Sequence, residues 1–233
     1  MVPPSVNRSY RIDIMHVSEA VRRRMSVRAF RPDPVPADVV RELLELSARA
    51  PSGGNVQPWH VHALTGAPLA ELIALANENG ADPEPAYDVY PHNLWEPYRT
   101  RRFQIGEALY ASIGIPREDK PGRLRQLARN GLLFGAPVGV FVFIDRKMGP
   151  PQWSDLGMYL QTLMLLATER GLDTCPQEYW ARFASTIERF VNAPEDRMLF
   201  CGVALGYRDE TAPINSLHAP RAPFAEWGQM HGF

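Results

Sequence analysis

Cysteine is scarce. The 233-residue chain has two, Cys175 and Cys201, too far apart for a CxxC redox or zinc pair and both in apolar surroundings, so free buried thiols are expected. Neither sign of charge is in excess. The 25 Lys plus Arg against 26 Asp plus Glu leave a formal charge of −1, which removes the electrostatic case for a nucleic acid or an anionic membrane and points to a small partner. Long apolar runs are missing too: the greasiest region, residues 132–144, is too short to span a bilayer and is broken by Gly135, Pro137 and Gly139. The first residues, MVPPSVNRSYRIDIM, lack the apolar stretch of a secretory signal, so a cytoplasmic protein is expected. Several motifs are absent. Ser52 is not in GxSxG, and no GxGxxG or P-loop turn occurs, which weakens hydrolase, dinucleotide-fold and NTPase readings. His60 and His62 alternate without a third ligand nearby, and no metal is expected.

What is present reads as one globular domain, since 45% hydrophobic and 22% charged residues over this length suffice for a single core. Helical spacing is expected over Val17–Arg24, from Pro36 through Ala48, over Ala67–Asn79 closed by Gly80, and near Arg99–Ser112 and Gly122–Phe134. A long apolar helix over Ser154–Arg170 and a shorter one around Arg182–Asn192 complete the set. His60–Leu64 reads as a short strand, while PVGVFVFI (residues 137–144) and MLFCGVALGY (residues 198–207) are β-branched and continuously apolar, as in strands buried on both faces. LDTCPQEYW reads as a loop. The order implies one sheet with helical crossovers. Residues 81–131 begin proline- and aromatic-rich and read as a substrate-facing, lid-like insert. In it Trp95, Tyr98, Phe103 and Tyr110, with Phe134 just beyond, are candidate pocket walls or core residues. The tail from about 208 to 233 carries Phe224 and Trp227 without periodicity, and packing on a partner subunit is expected.

Three clusters could carry chemistry. In the first, Arg22, Arg23, Arg24, Ser26 and Arg28 join a helix end to an extended segment whose alternation puts Ser26 and Arg28 on one side, and guanidinium forks beside a hydroxyl suit a phosphate. In the second, Pro51, Ser52, Gly53, Gly54, Asn55 and Gln57 combine close backbone approach with amide donors and acceptors, chemistry suited to a planar heterocycle. The third comprises Thr174, Pro176, Gln177, Glu178 and Tyr179, with Gly206 and Arg221 later. A solvated basic helix end, a tight turn and a surface loop account for these clusters taken singly.

Taken together, the strings RMSVRAF, APSGGNVQPWHV and GLDTCPQEY, then ALGY followed by Pro213, Asn215, Arg221 and Pro223, resemble the nitroreductase family of flavoenzymes, in order, over roughly residues 17–225. The resemblance implies an α+β fold, with a central mixed sheet flanked by helices, in an intertwined homodimer binding FMN at its interface. It implies that Arg24, Ser26 and Arg221 hold the phosphate, Met25 lies with them, and Arg28 stands near the N1/O2 edge of the flavin. Pro51, Ser52, Gly53, Asn55 and Gln57 would reach the flavin of the other subunit. Pro176, Gln177, Glu178 and Gly206 would line the site, with backbone N–H groups near Glu178 and Tyr179 facing N5. Ala219 stands where some relatives carry a second basic residue. The implied activity is ping-pong, two-electron transfer from NADH or NADPH through FMN to nitroaromatic or quinone-like acceptors, with no side chain required as a general acid or base. PHNLWEPYRTRR resembles the insert of the nitroaromatic-reducing branch. Two alternatives stay open: a reductive dehalogenase of halogenated phenols, for which Glu96, Tyr98 and Arg99 are near one another but at a different spacing, and a flavin-binding protein without turnover.

Overall fold

The computed structural model describes residues 15–233; the reading of the N-terminal segment lies, but for Met15, outside the described residues. Four strands, β1 (His60–Thr65), β2 (Val138–Asp145), β3 (Asp173–Gln177) and β4 (Arg197–Gly206), form one antiparallel sheet in the order β1-β2-β4-β3. Among the described residues seven helices surround it: α1 (Val17–Arg23), α2 (Ala37–Ser47), α3 (Gly66–Asn79), α4 (Tyr98–Ser112), α5 (Lys120–Ala128), α6 (Pro150–Glu169) and α7 (Ala184–Phe190). The arrangement is α+β. Its parallel component is a bridge between Ser26 and Thr174, which lays the segment after α1 along β3. Among the described residues no helix is long and apolar enough to cross a membrane.

The period-2 geometry of the central strands sorts their side chains into two cores. Val138, Val140, Val142 and Ile144 of β2 pack with Cys201, Val203 and Leu205 of β4 against α2 and α6. Phe141, Phe143, Leu199 and Ala204 meet Leu69 and Leu72 of α3 and Ile187 of α7 on the other face. Both strands are buried along nearly their whole length, as their unbroken apolar composition predicts. Gly202 sits on the second face because Trp180 fills the space above it. A Cβ there would lie 2.5 Å from the Trp180 ring.

Three local expectations need correction. The LDTCPQEYW stretch contains β3, followed by a 3-10 turn over Glu178–Phe183 and the short α7. Pro176 is tolerated because this is an outer strand, where a missing N–H disturbs little. The pattern read as one helix over Gly122–Phe134 breaks after Ala128. There a 3-10 turn takes Leu133 and Phe134 to positive φ and buries them against the sheet, so Phe134 is core and not a pocket wall. Finally, α6 starts four residues earlier than expected, because Pro150 and Pro151 fit the first helical turn, where their missing N–H groups have no intrahelical partner to lose.

The insert is pinned at its start. Between Val142 and Phe143 the β2–β4 register slips, leaving Phe200 as a bulge residue whose carbonyl accepts from the Tyr87 hydroxyl and whose ring stacks on Tyr87. Asp82 and Ala86 donate backbone hydrogen bonds to Arg182 and Ala181. Beyond this anchor α4 has no buried residue. The tail is held first by an Arg208–Asp173 pair at 2.6 Å and by buried Asn215, then lies exposed near α4, tied by Arg101 to Glu226 at 2.7 Å.

Candidate cofactor site

The segment after α1 carries the alternation that its sequence implies. Met25, Val27 and Ala29 are buried, while Arg24, Ser26 and Arg28 are half-buried on the other side. Two contacts fix that choice. Val27 N–H donates to the Thr174 carbonyl at 3.0 Å, and the Asn215 side chain accepts from Arg28 N–H at 2.9 Å while donating to the Ala29 and Asp209 carbonyls. Asn215 thereby locks the tail to this segment, which brings Arg221 back to α1.

The result is a cleft of about 520 Å³ whose walls include Arg24, Met25, Ser26, Arg28 and Arg221. Among the described residues no carboxylate pairs with Arg22, Arg24, Arg28 or Arg221. Burial, and next the Arg221 guanidinium, push Arg24 below the usual arginine value. Like charges crowded into a half-buried cleft are unfavourable unless an anion joins them, and a phosphate dianion has the charge and the acceptor geometry to do so. The residues present therefore fit the phosphate of FMN.

The Ser52–Gln57 loop is built differently. Gly54, Asn55 and Gln57 have φ of 57°, 57° and 48°, an uncommon cluster that local bonds hold in place: Gln57 N–H donates to Ser52 Oγ, and the Gln57 side-chain amide donates to the Asn55 carbonyl. Buried Asp155 on α6 accepts from Gly53 N–H at 3.3 Å with each oxygen. Such strain persists when surrounding structure over-determines it and is a pointer to function. The loop turns outward, and among the described residues nothing lies within 4 Å of where a Cβ on Gly53 or Gly54 would stand.

None of Pro51, Ser52, Gly53, Asn55 and Gln57 lines the Arg24 cleft. The reason lies in α6. Asp155 anchors the loop and Gln161 lines the cleft, and six residues turn a helix through about 600°, so the two side chains leave α6 roughly 120° apart.

At the third cluster, the Ser26–Thr174 bridge sets Arg28 level with Pro176. Gln177 is buried, its amide donating to the Asn130 carbonyl and side chain at 3.0 Å, while its Oε1 has no partner among the described residues. Glu178 is exposed. Cys175, beneath Ser26 and the arginines, has its thiol pushed up to about 11 by burial. Gly206 is a packing residue, since a Cβ there would stand 2.6 Å from the Pro137 ring. Sequence reasoning missed Gln161, Asp155 and Asn130. The first two had a signal, an amide and a carboxylate in a largely apolar helix.

A family model described as "Nitroreductase family" matches residues 21–207. The 4-nitrobenzoate reductase of Pseudomonas putida is 41% identical over 217 residues, 91% of this chain and 94% of that protein. Among solved structures, the FMN and NADPH-dependent nitroreductase NfnB of sphigopyxis sp. strain HMH superposes with a TM-score of 0.89 at 45% identity, covering 94% of this chain and 100% of the other. The FMN-dependent nitroreductase NfnB of Mycobacterium smegmatis, solved with NADPH, gives 0.84 at 32% identity over 93% and 100%.

Proposed function

The chain belongs to the nitroreductase family, and from that premise we propose that it is an FMN-dependent NAD(P)H oxidoreductase reducing nitroaromatic or quinone-like acceptors, with each cofactor site shared between two copies of the chain. The observation that carries the reading is the pair of guanidiniums, Arg24 and Arg221, facing one cleft without a carboxylate among the described residues. When bound, FMN supplies two-electron chemistry between a nicotinamide and the acceptor. The chain's own residues bind and orient it. Arg24, Ser26 and Arg221 hold the phosphate. Arg28 would stand near the ring, where its guanidinium would favour the two-electron chemistry that FMN supplies. Pro176, Gln177 and Glu178 border the ring, and the Gln177–Asn130 bonds keep that border rigid.

A twofold partner explains three features that a single chain leaves open. The Ser52–Gln57 loop turns away from its own cleft, α4 buries no residue, and Phe224 and Trp227 are 47% and 67% exposed. In the proposed homodimer the loop of one copy completes the cleft of the other, residues 81–131 border the substrate, and the tail wraps the partner. We place the enzyme in the cytoplasm, where free thiols such as those of Cys175 and Cys201 stay reduced. The dehalogenase alternative is not favoured, because Glu96 and Arg99 engage each other at 2.7 Å and Tyr98 is exposed.

A visible spectrum tests the redox reading. The purified protein should be yellow, bleach anaerobically with NADPH or NADH, and recover with 4-nitrobenzoate. A colourless protein that takes up no added FMN refutes it, and one that binds FMN but never bleaches is the carrier of the second alternative. Mixed dimers test the sharing. An Arg24→Gln chain paired with an Asn55→Ala, Gln57→Ala chain should bind one FMN per dimer tightly, since one intact cleft then meets one intact loop. Two equally weakened sites would place loop and cleft of one chain together.

A further inference from the structure

A second cleft, of about 560 Å³, shares Arg28 and Ile105 with the first and is closed on its far side by α4 and Tyr90. Its charges do not cancel. Glu107 is taken up by a two-pronged pair with Arg123, the second contact at 2.9 Å, and Arg99 is matched by Glu96. Arg28 and Arg102 remain, and among the described residues neither has a carboxylate partner. Arg102 is also held in place, with its guanidinium carbon 4.3 Å from the centroid of the Tyr90 ring. Stacking occupies one face of the guanidinium and leaves the N–H edge to accept a planar, two-oxygen anion. Phe103, half exposed, adds an aromatic surface to the same cleft.

We propose that this cleft is an acceptor subsite for carboxylated nitroarenes, in which the Arg102 edge receives the carboxylate while the ring lies against Phe103 and the nitro end points toward Arg28. The inference rests on the flavoenzyme reading and narrows its substrate class from nitroarenes in general to anionic ones. The Arg102 fork beside an apolar wall matches a planar monoanion, whereas the cleft next to it, which gathers Arg22, Arg24, Arg28 and Arg221, matches a phosphate dianion. Arg102 is a specificity residue here and takes no part in electron transfer.

The test compares 4-nitrobenzoate with its neutral methyl ester on the FMN-loaded enzyme with NADPH. One charge-assisted contact at a partly exposed site corresponds to about a tenfold advantage of acid over ester in kcat/KM. In Arg102→Gln that advantage should collapse toward unity through the KM for the acid, and Arg102→Lys should restore part of it. Calorimetry gives an independent readout, in which benzoate binds the oxidised enzyme more tightly than benzamide and Arg102→Gln abolishes the difference. Wild-type enzyme that treats acid and ester alike within about threefold overturns the proposal whether or not the variants fold. An Arg102→Gln enzyme that keeps its acid preference but needs more NADPH overturns it as well, assigning Arg102 to the nicotinamide's phosphate. An enzyme that reduces neither compound fails at the flavoenzyme reading itself.

Discussion

Arg24→Gln separates what a cofactor arginine does from what a structural one does, because the two roles move two measurements in opposite directions. Arg24 stands in a half-buried cleft with Arg221 and has no hydrogen-bonded side-chain partner among the described residues. In the cofactor-free protein its removal relieves repulsion and breaks no contact, so the apo melting temperature should hold or rise. In the loaded protein it removes a charge-assisted contact to phosphate, about 1.5–3 kcal/mol, or roughly ten- to a hundredfold in FMN affinity. At an FMN concentration about a hundred times the wild-type Kd, binding stabilises the wild type by about 2.7 kcal/mol. If affinity falls about thirtyfold, the same concentration stabilises the variant by only about 0.9 kcal/mol. For a chain this long that is a cofactor-induced rise in Tm of roughly 5–11 °C in the wild type against 2–4 °C in the variant. Arg24→Glu sharpens the contrast, because a carboxylate beside Arg221 forms an ion pair that raises the apo Tm while excluding the phosphate. Thermal melts with and without FMN, together with quenching of FMN fluorescence, read both quantities. Wild-type FMN affinity in Arg24→Gln, or an apo Tm lowered by several degrees, would refute the reasoning.

Three further outcomes follow from the same contacts. Gly202→Ala drives a methyl into the fully buried Trp180 ring at 2.5 Å and should cost about 1–3 kcal/mol, measured as a lower urea midpoint; an unchanged midpoint would mean that the ring has room to move. Asp155→Ala frees Gly53 N–H, so FMN should bind several-fold more weakly and the Gly53 amide should exchange faster, whereas unaltered exchange would show that the loop does not depend on α6. His60 is held below the usual histidine value of 6.5 by burial and by Arg197, and His62 by burial. The unfolded chain therefore takes up these protons first as pH falls, and the stability they contribute is full above about pH 6.5 and declines below it. Urea midpoints from pH 8 to 5 should show this decline in the wild type and a flatter profile in His60→Gln, His62→Gln. An equal slope in that variant would assign the acid limb to other groups.

The parts of the fold legible in the sequence are those where one physical rule acts alone. Period-2 alternation in RMSVRAF separates Met25, Val27 and Ala29 from Arg24, Ser26 and Arg28 without reference to anything else, and the unbroken VGVFVFI run admits a strand with both faces covered. Where two rules compete, local reading fails. The Leu132–Leu133–Phe134 run continues a helical apolar pattern, but burying Leu133 and Phe134 under the sheet requires leaving the helix, and tertiary packing outweighs the strain of two positive φ values. LDTCPQEYW reads as a loop yet contains a strand, because Pro176 forbids only a hydrogen bond that an outer strand does not need.

The candidate binding chemistries were legible in the sequence, but their arrangement in space was not. RMSVRAF, the glycine loop and the late arginine each announce a binding chemistry, yet adjacency in space depends on Asn215, which ties the tail to Ala29, and on the turn of α6 between Asp155 and Gln161. Neither is a motif. Both act at sequence separations that periodicity does not sample, and both have one effect: Arg221 is carried to the Arg24 cleft while the Ser52–Gln57 loop is carried away from it. A chain that spends strain at Asn55 and Gln57 to hold a loop facing outward makes sense when that loop's ligand lies on another copy. On the proposed reading the cleft and the loop would be halves of different sites, so that a loop change would act on the partner's cofactor and a cleft change on the chain's own.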